Sequence, residues 1–334
     1  MTNTQDILTQ HIYPLLPPHL SKILMAVPVS LLAKVTEIRI RANQPLLLVL
    51  GNHDVMIDVF GQATSQSQAY YCTIQDLLKT FQLLCKNSVY AFEPELRQGY
   101  LTIKGGHRVG LAGQATAFNG TVKTLTHISS LNIRLARAIP GCADIILPFV
   151  IDSVSRRIYN ILLISPPRCG KTTILRDLIR QLSTGKATLG IVGVQIGLVD
   201  ERSEIAACEN GIPSIDLGPR VDVLDACPKA SGLLMLIRSM APEVIATDEL
   251  GRAEDAAAVR EAIHAGVSVL ATVHSRTINE LRERPYIGEL VQQRMFDRYV
   301  ILSNRLGPGT IEEIVDSRLE KIVYVCSNEV RECG

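Results

Sequence analysis

Two styles of hydrophobic patterning follow one another along the chain. TEIRIR at 36–41 places apolar side chains at every second position, as a half-buried strand does, and 46–50 is a second strand after the Gln44-Pro45 turn. Residues 73–86 carry Leu77, Leu78, Phe81, Leu84 and Cys85 at helical spacing, which predicts an amphipathic helix whose apolar face is core rather than a membrane anchor. Residues 100–103 form a strand that turns at Gly105-Gly106 into HRVGLAG, a hairpin, and SLNIRLAR at 130–137 alternates again. Pro14, Pro17, Pro18 and Pro28 break the opening into short helical segments, and 61–71 reads as a polar surface loop. This half predicts a small α+β domain over 1–145.

From Tyr159 the period changes. Short apolar runs at 161–164, 243–247 and 267–273 alternate with helical patterns such as 254–264. That alternation predicts βαβ units and a mainly parallel sheet, an α/β domain over 146–334.

The first of these runs leads straight into chemistry. YNILLI at 159–164 enters SPPRCGKTT, and ILRDLIRQLS follows with Ile174, Leu175, Leu178, Ile179 and Leu182 on one helix face. Strand, tight loop and helix are the setting that a Walker A phosphate loop requires. The backbone N–H groups over Ser165, Pro166, Pro167, Arg168, Cys169, Gly170, Lys171, Thr172 and Thr173 then converge with the helix N-terminus on an anion, prolines excepted. Lys171 is expected to reach the β- and γ-phosphates of ATP, and the Thr172 hydroxyl to ligate Mg²⁺. Ser165 stands where the motif has its first Gly; serine tolerates left-handed angles poorly, and Pro166-Pro167 can set the start of the loop instead.

The apolar strand after Met240 ends in Asp248-Glu249. In ATPases of this kind a carboxylate at a strand end holds Mg²⁺ through water and a neighbouring Glu polarises the attacking water; Asp248 suits the first role and Glu249 the second. The next strand ends at His274, placed to read the γ-phosphate or the attacking water, with Thr272 a weaker candidate. Asp200, Glu201, Arg202 and Glu204 pack their charges behind another apolar run, where Glu201 and Glu204 join the catalytic candidates by tuning Mg²⁺, water or a phosphate.

Composition narrows the classes. The 334 residues fit two domains at ~100–200 residues each. Hydrophobic residues make up 47% and charged residues 20%, which excludes a disordered or fibrous chain. The 34 basic and 33 acidic residues leave a net charge of +1, with 4% aromatics and no Trp. That balance argues against nucleic-acid binding as the main task, since phosphate neutralisation needs surplus cations. A mean hydropathy of +0.19 prompts a search for spans, but the longest apolar stretch, 189–199, falls far short of the ~20 residues a bilayer needs. The N-terminus lacks a basic region followed by an apolar one, so a cytoplasmic location is expected. Eight cysteines without a CxxC and seven histidines without HExxH or HxxxH predict neither disulfides nor a structural metal site.

The segments SPPRCGKTTILRDLIR, GLVDERSEIAA, DVLDACPKASGLLMLIRSMAPEVIATDELGR and AIHAGVSVLATVHS closely resemble the stage III sporulation protein AA family. So do EIRIRANQPLLL, GGHRVGLAGQA and ISSLNIRLARAI nearer the start, so the resemblance spans nearly the whole chain. That family departs from the strict Walker A in the same way at Ser165. More distantly, the second domain looks like the traffic ATPases of type II and type IV secretion. Glu249 matches their Walker B Glu, Asp200 to Glu204 their acidic box, and His274 their strand-end His. The resemblance implies an AAA-type, RecA-like ATPase assembled into a homo-oligomeric ring, a hexamer. It would act in the mother cell beneath a transenvelope channel to the forespore, held to the membrane by the channel's membrane proteins, with the first domain in ring packing and docking. Rings of this class usually receive an Arg in trans; Arg108, Arg134, Arg137, Arg238 and Arg252 are the candidates. Two other readings follow from the same residues: a nucleotide-dependent single-stranded nucleic-acid-binding ATPase, and a scaffold that uses ATP only to lock a ring.

Overall fold

A computed structural model describes residues 4–326, apart from 52, 87–91, 93–95, 98, 119–120, 137, 153 and 319. The chain divides into two compact units, Met1–Arg137 and Ala138–Gly334. The division falls ahead of the 145/146 junction, because Ala143, Ile146 and Leu147 are buried in the second unit's core and the Ala143 amide donates to Asp177 Oδ2 at 2.9 Å.

Short helices open the first unit: α1 (Thr4–Ile7), a π-helical turn (Leu8–Ile12), α2 (Pro18–Ala26) and α3 (Val29–Leu32). Among the described residues its main sheet has seven antiparallel strands. These are β1 (Glu37–Arg41), β3 (Leu47–Leu50), β4 (His53–Ile57), β5 (Ala63–Thr64), β7 (Tyr100–Ile103), β8 (His107–Phe118) and β9 (Thr121–Arg134), in the order β5-β4-β3-β1-β9-β8-β7. β2 (Gln44–Pro45) and β6 (Tyr71–Cys72) pair separately. The alternation in β1 has its expected consequence: Ile38 and Ile40 are buried while Arg39 and Arg41 are only partly so. The 61–71 segment is less loop-like than its polarity suggests, since it holds β5, a 3₁₀ turn (Gln66–Gln68) and the first residue of β6.

α4 (Ile74–Leu84) starts with a reciprocal cap, the Asp76 amide donating to Thr73 Oγ1 and the Thr73 amide to Asp76 Oδ2. Its Leu77 and Leu84 lie in the core with Cys85, whereas Ile74 and Leu78 face solvent. The apolar face is therefore core.

His107, at the start of β8, is buried and accepts from the Ala136 amide at 2.9 Å through Nδ1, with His11 Nδ1 3.1 Å from its other ring nitrogen. Burial, with the second histidine adding to it, lowers its pKa to about 4. Between the usual histidine value and that figure the unfolded chain binds the proton and the folded one does not, so stability falls as pH falls through that window. Thermal unfolding followed from pH 7 to 4.5 is expected to show a loss approaching about 1.4 kcal/mol per pH unit, and a shallower slope in His107→Gln. An equal slope in the two proteins would remove His107 as the cause.

The second unit is α/β. Among the described residues its sheet contains β10 (Ile161–Ser165), β11 (Ile196–Asp200), β12 (Val221–Asp225), β13 (Val244–Thr247), β14 (Ser268–His274), β15 (Arg298–Ser303), β16 (Thr310–Asp316) and β17 (Lys321–Val325). Their order is β12-β11-β13-β14-β10-β15-β16-β17, parallel as far as β15 and antiparallel beyond. β10 shows why such strands read as unbroken apolar runs: Ile161 and Leu163 enter one core, Leu162 and Ile164 the other. α5 (Lys171–Thr184) covers the first face through Ile174, Leu175, Leu178, Ile179 and Leu182. α6 (Lys229–Met240), α7 (Ala253–His264), α8 (Ile278–Arg282) and α9 (Ile287–Gln292) cover the second. This layering brings the carboxyl ends of β11, β13, β14 and β10 side by side, the usual place for a ligand in such sheets.

Candidate functional site

Those four strand ends deliver most of the sequence-derived candidates to one edge. The loop after β10 turns through Arg168 at φ +63° and Gly170 at φ +81°, and α5 begins at Lys171. Gly170 is required twice over: its φ is left-handed, and a Cβ there would lie 2.9 Å from the Gly309 nitrogen. The β15–β16 turn thus seals one side of the loop, and the Gly309 amide donates to the Cys169 carbonyl at 3.0 Å. Ser165 needs no left-handed angle, because it ends a regular strand and is fully buried. Its departure from the motif therefore carries no strain.

Lys171 is folded into the loop. Its ammonium donates to the Ser165 carbonyl at 2.9 Å, Ser165 Oγ at 3.0 Å and the Pro166 carbonyl at 3.0 Å, and lies 2.8 Å from His274 Nδ1. Burial pulls its pKa down to about 8, against the nearby Cys169 and Glu249. Register makes the histidine contact possible, since Ser165 and His274 are direct partners on adjacent strands. His274 Nε2 faces Glu249 Oε1 at 3.6 Å.

Glu249 sits just past β13 at φ +24° and is held from three directions. Its amide donates to Thr272 Oγ1 at 2.9 Å, Arg202 Nη1 donates to its Oε2 at 3.1 Å, and His274 approaches its other oxygen. Thr272 is buried beneath it and fixes its backbone, so that side chain positions the carboxylate. Asp248 points inward. It is buried, its Oδ1 has no hydrogen-bond partner, and the Lys229 ammonium lies 3.3 Å away out of hydrogen-bond alignment. Burial raises its pKa, opposed by the charge of Lys229.

The acidic segment separates into distinct parts. Asp200 is wholly buried and accepts from the amides of Glu204 (2.9 Å), Ile205 (2.9 Å) and Ala206 (2.8 Å), shaping the loop from within. Burial pushes its pKa up to about 6, against those three amides. Glu201 pairs with Lys229, and Arg202 with Glu249. The Glu204 carbonyl accepts from Arg176 Nη2 at 2.6 Å and the Ile205 carbonyl from Arg176 Nε at 2.7 Å, which ties the acidic loop to α5. Lys229, Arg176 and the Gly309 turn escaped the sequence reading. A buried lysine in ACPKASG has no spacing signal, because its partners come from two other strands.

The five arginines do not share a place. Arg252 caps α7, its amide donating to Asp255 Oδ2, and Arg238 lies 3.6 Å from Glu261, both exposed. Arg108 stacks over the Tyr100 ring at 3.5 Å and Arg134 lies 3.6 Å from Glu37 Oε1, both within the first unit. Arg137 lies outside the described residues.

The site fits a hydrated Mg²⁺ and a nucleotide phosphate chain. Asp248 Oδ1 is buried and accepts no hydrogen bond, which leaves it able to accept from a metal-bound water beside the Lys229 ammonium. Thr172, in the first turn of α5, and Asp248 are the residues that would hold the ion.

Comparison with known proteins shows the chain's family and its fold. The sequence model described as "Sporulation stage III, protein AA" matches residues 7–322. The chain belongs to that family. It is 46% identical over 301 residues, 90% of this chain and 93% of the relative, to stage III sporulation protein AA of Bacillus subtilis (strain 168). Among solved structures it is similar to the ATPase DotB of Legionella pneumophila, with a TM-score of 0.52 and 15% identity over 80% of this chain and 72% of that one. The pilus retraction motor PilT with bound ADP matches with a TM-score of 0.52 and 15% identity, over 80% of this chain and 74% of that one. At that identity the likeness establishes a shared mixed α/β fold. Among the described residues no helix is long and apolar enough to cross a membrane.

Proposed function

We propose that this family member is a RecA-like, AAA-type ATPase that transfers the γ-phosphoryl group of ATP to water. The observation that carries the reading is the convergence of Lys171, His274 and Glu249 beside the loop that turns at Gly170. The loop amides and the Lys171 ammonium receive the phosphates, Lys171 exchanging its present carbonyl partners for phosphate oxygens. Thr172 and Asp248 would hold Mg²⁺, which would supply positive charge against the phosphate oxygens. Glu249 accepts a proton from the attacking water as its oxygen bonds to the γ-phosphorus and the bond to the β,γ-bridging oxygen breaks. His274, between Lys171 and Glu249, registers whether a γ-phosphate is present. Arg202 holds the Glu249 carboxylate in place, Glu201 fixes Lys229 under Asp248, and Glu204 supports the acidic loop.

On this reading the protein works as a homo-oligomeric ring, a hexamer, completed by an arginine from a neighbour, with Arg108, Arg134, Arg137, Arg238 and Arg252 as candidates. The first unit mediates ring packing and docking. Family membership supports a role in sporulation; on this reading the protein works in the mother-cell cytoplasm and drives a channel to the forespore through that channel's membrane proteins.

The test is phosphate release from ATP against protein concentration, with divalent cation present and then chelated. The rate per subunit is expected to climb with concentration and to vanish with EDTA. A rate independent of concentration would remove the arginine in trans. Tight ATP-dependent assembly without turnover would leave the scaffold reading, and turnover that persists in EDTA would overturn the Mg²⁺ site.

A further inference from the structure

The strand edge that holds Lys171, His274 and Glu249 carries a further cation. Arg276 lies two residues beyond His274, between β14 and α8. Its backbone is fixed on both sides. The Ser275 amide donates to the Ser165 carbonyl at 3.2 Å, and the Arg276 amide donates to Glu280 Oε2 at 2.8 Å. The Ser165 carbonyl also accepts from the Lys171 ammonium at 2.9 Å. Arg276 therefore directly follows a residue that shares an acceptor with the phosphate-loop lysine, within an arginine side chain's reach of that ammonium.

Other cations of this edge are committed. Lys229 lies between Glu201 and Asp248, Arg202 pairs with Glu249, and Arg176 donates to the carbonyls of Glu204 and Ile205. Arg276 is exposed, and its guanidinium forms no hydrogen bond or ion pair with any described residue. Glu280, the nearest carboxylate along the chain, does not hold it, since Oε2 takes the Arg276 amide and Oε1 lies 3.7 Å from Arg284. A solvated arginine is ordinary on a surface. Here it adjoins a site whose ligand brings several negative charges, and a guanidinium meets phosphate oxygens through two parallel N–H groups.

We propose that Arg276 is a further catalytic residue of its own subunit's site, its guanidinium binding the γ-phosphate oxygens of ATP. This rests on the ATPase reading above and adds to an arginine from a neighbour rather than replacing it. As the water oxygen bonds to the γ-phosphorus and ADP leaves with the bridging oxygen, Arg276 stabilises the charge on the transferred group and exchanges no proton. ADP lacks the γ-phosphate and gives the side chain nothing to bind, so Arg276 also lets the site tell ATP from ADP.

The test measures equilibrium binding of a non-hydrolysable ATP analogue and of ADP to the full chain with Mg²⁺, beside phosphate release from ATP. Arg276→Gln is expected to weaken the analogue about tenfold, leave ADP unchanged and lower turnover about 10²–10³-fold. Arg276→Lys, which keeps the charge but not the fork, should recover part of both losses. Equal weakening of analogue and ADP would make the residue structural and overturn the proposal, as would parent-like binding and turnover in Arg276→Gln. Mixing Arg276→Gln with Glu249→Gln before assembly should restore no turnover, because each subunit lacks a group that its own site needs. Restored turnover would move Arg276 to the neighbour's site, against the assignment. A parent protein that binds neither nucleotide would sink the ATPase reading itself, and this one with it.

Discussion

Glu249→Gln is expected to lower ATP turnover by about 10²–10⁴-fold while ATP binding stays near that of the parent protein. The substitution keeps side-chain volume and an oxygen that can accept from Arg202, so the clamp built by Arg202, His274 and the Thr272 hydroxyl survives. What disappears is a base able to take a proton from water. Because Lys171 and the loop amides do the phosphate binding, affinity should be separable from rate. Phosphate release and equilibrium binding of a fluorescent ATP analogue, measured on the same preparation, provide the check. Normal turnover together with normal binding would remove Glu249 from the role of base.

Lys229→Ala is expected to destabilise the second unit by about 3–5 kcal/mol. Lys229 is 5% exposed and sits between Glu201 and Asp248, of which Asp248 is 6% exposed. Burial alone would lower its pKa, but the two carboxylates outweigh that and raise it, so the ammonium is charged in place. Removing it strands a buried carboxylate whose pKa is already raised. The loss should be greatest at neutral pH and shrink in acid, where Asp248 takes up a proton in the folded state before it does so unfolded. Urea unfolding at pH 7 and pH 5 measures this, and Lys229→Met with Asp248→Asn should recover most of the loss. A change below about 1 kcal/mol at pH 7 would mean that the charges are solvated rather than paired.

The parts of this protein legible in its sequence were those governed by local rules. Alternation located β1 and the end of β9, the Gly105-Gly106 turn located the β7–β8 hairpin, 3.6-residue spacing located α4, and strand, glycine turn and helix located the phosphate loop. Strands of the second unit read clearly where both faces are buried, as in β10, β13 and β14. β12 and β17 went unread, because β12 is half-exposed throughout and mixes Asp into its pattern, and β17 is largely open to solvent; β15 went unread although Tyr299 to Leu302 are buried.

Sequence by itself thus determined which residue types stand at strand ends: Ser165, Asp200, Asp248-Glu249 and His274. Only the tertiary structure decided what each faces. Strand order and register set Lys171 against His274 and put Thr272 under Glu249. The same packing turned Asp200 inward onto three amides and set Lys229 beneath Asp248. A carboxylate's role depends on the charges and donors brought within a few ångströms of it, and here those come from strands far apart in the chain.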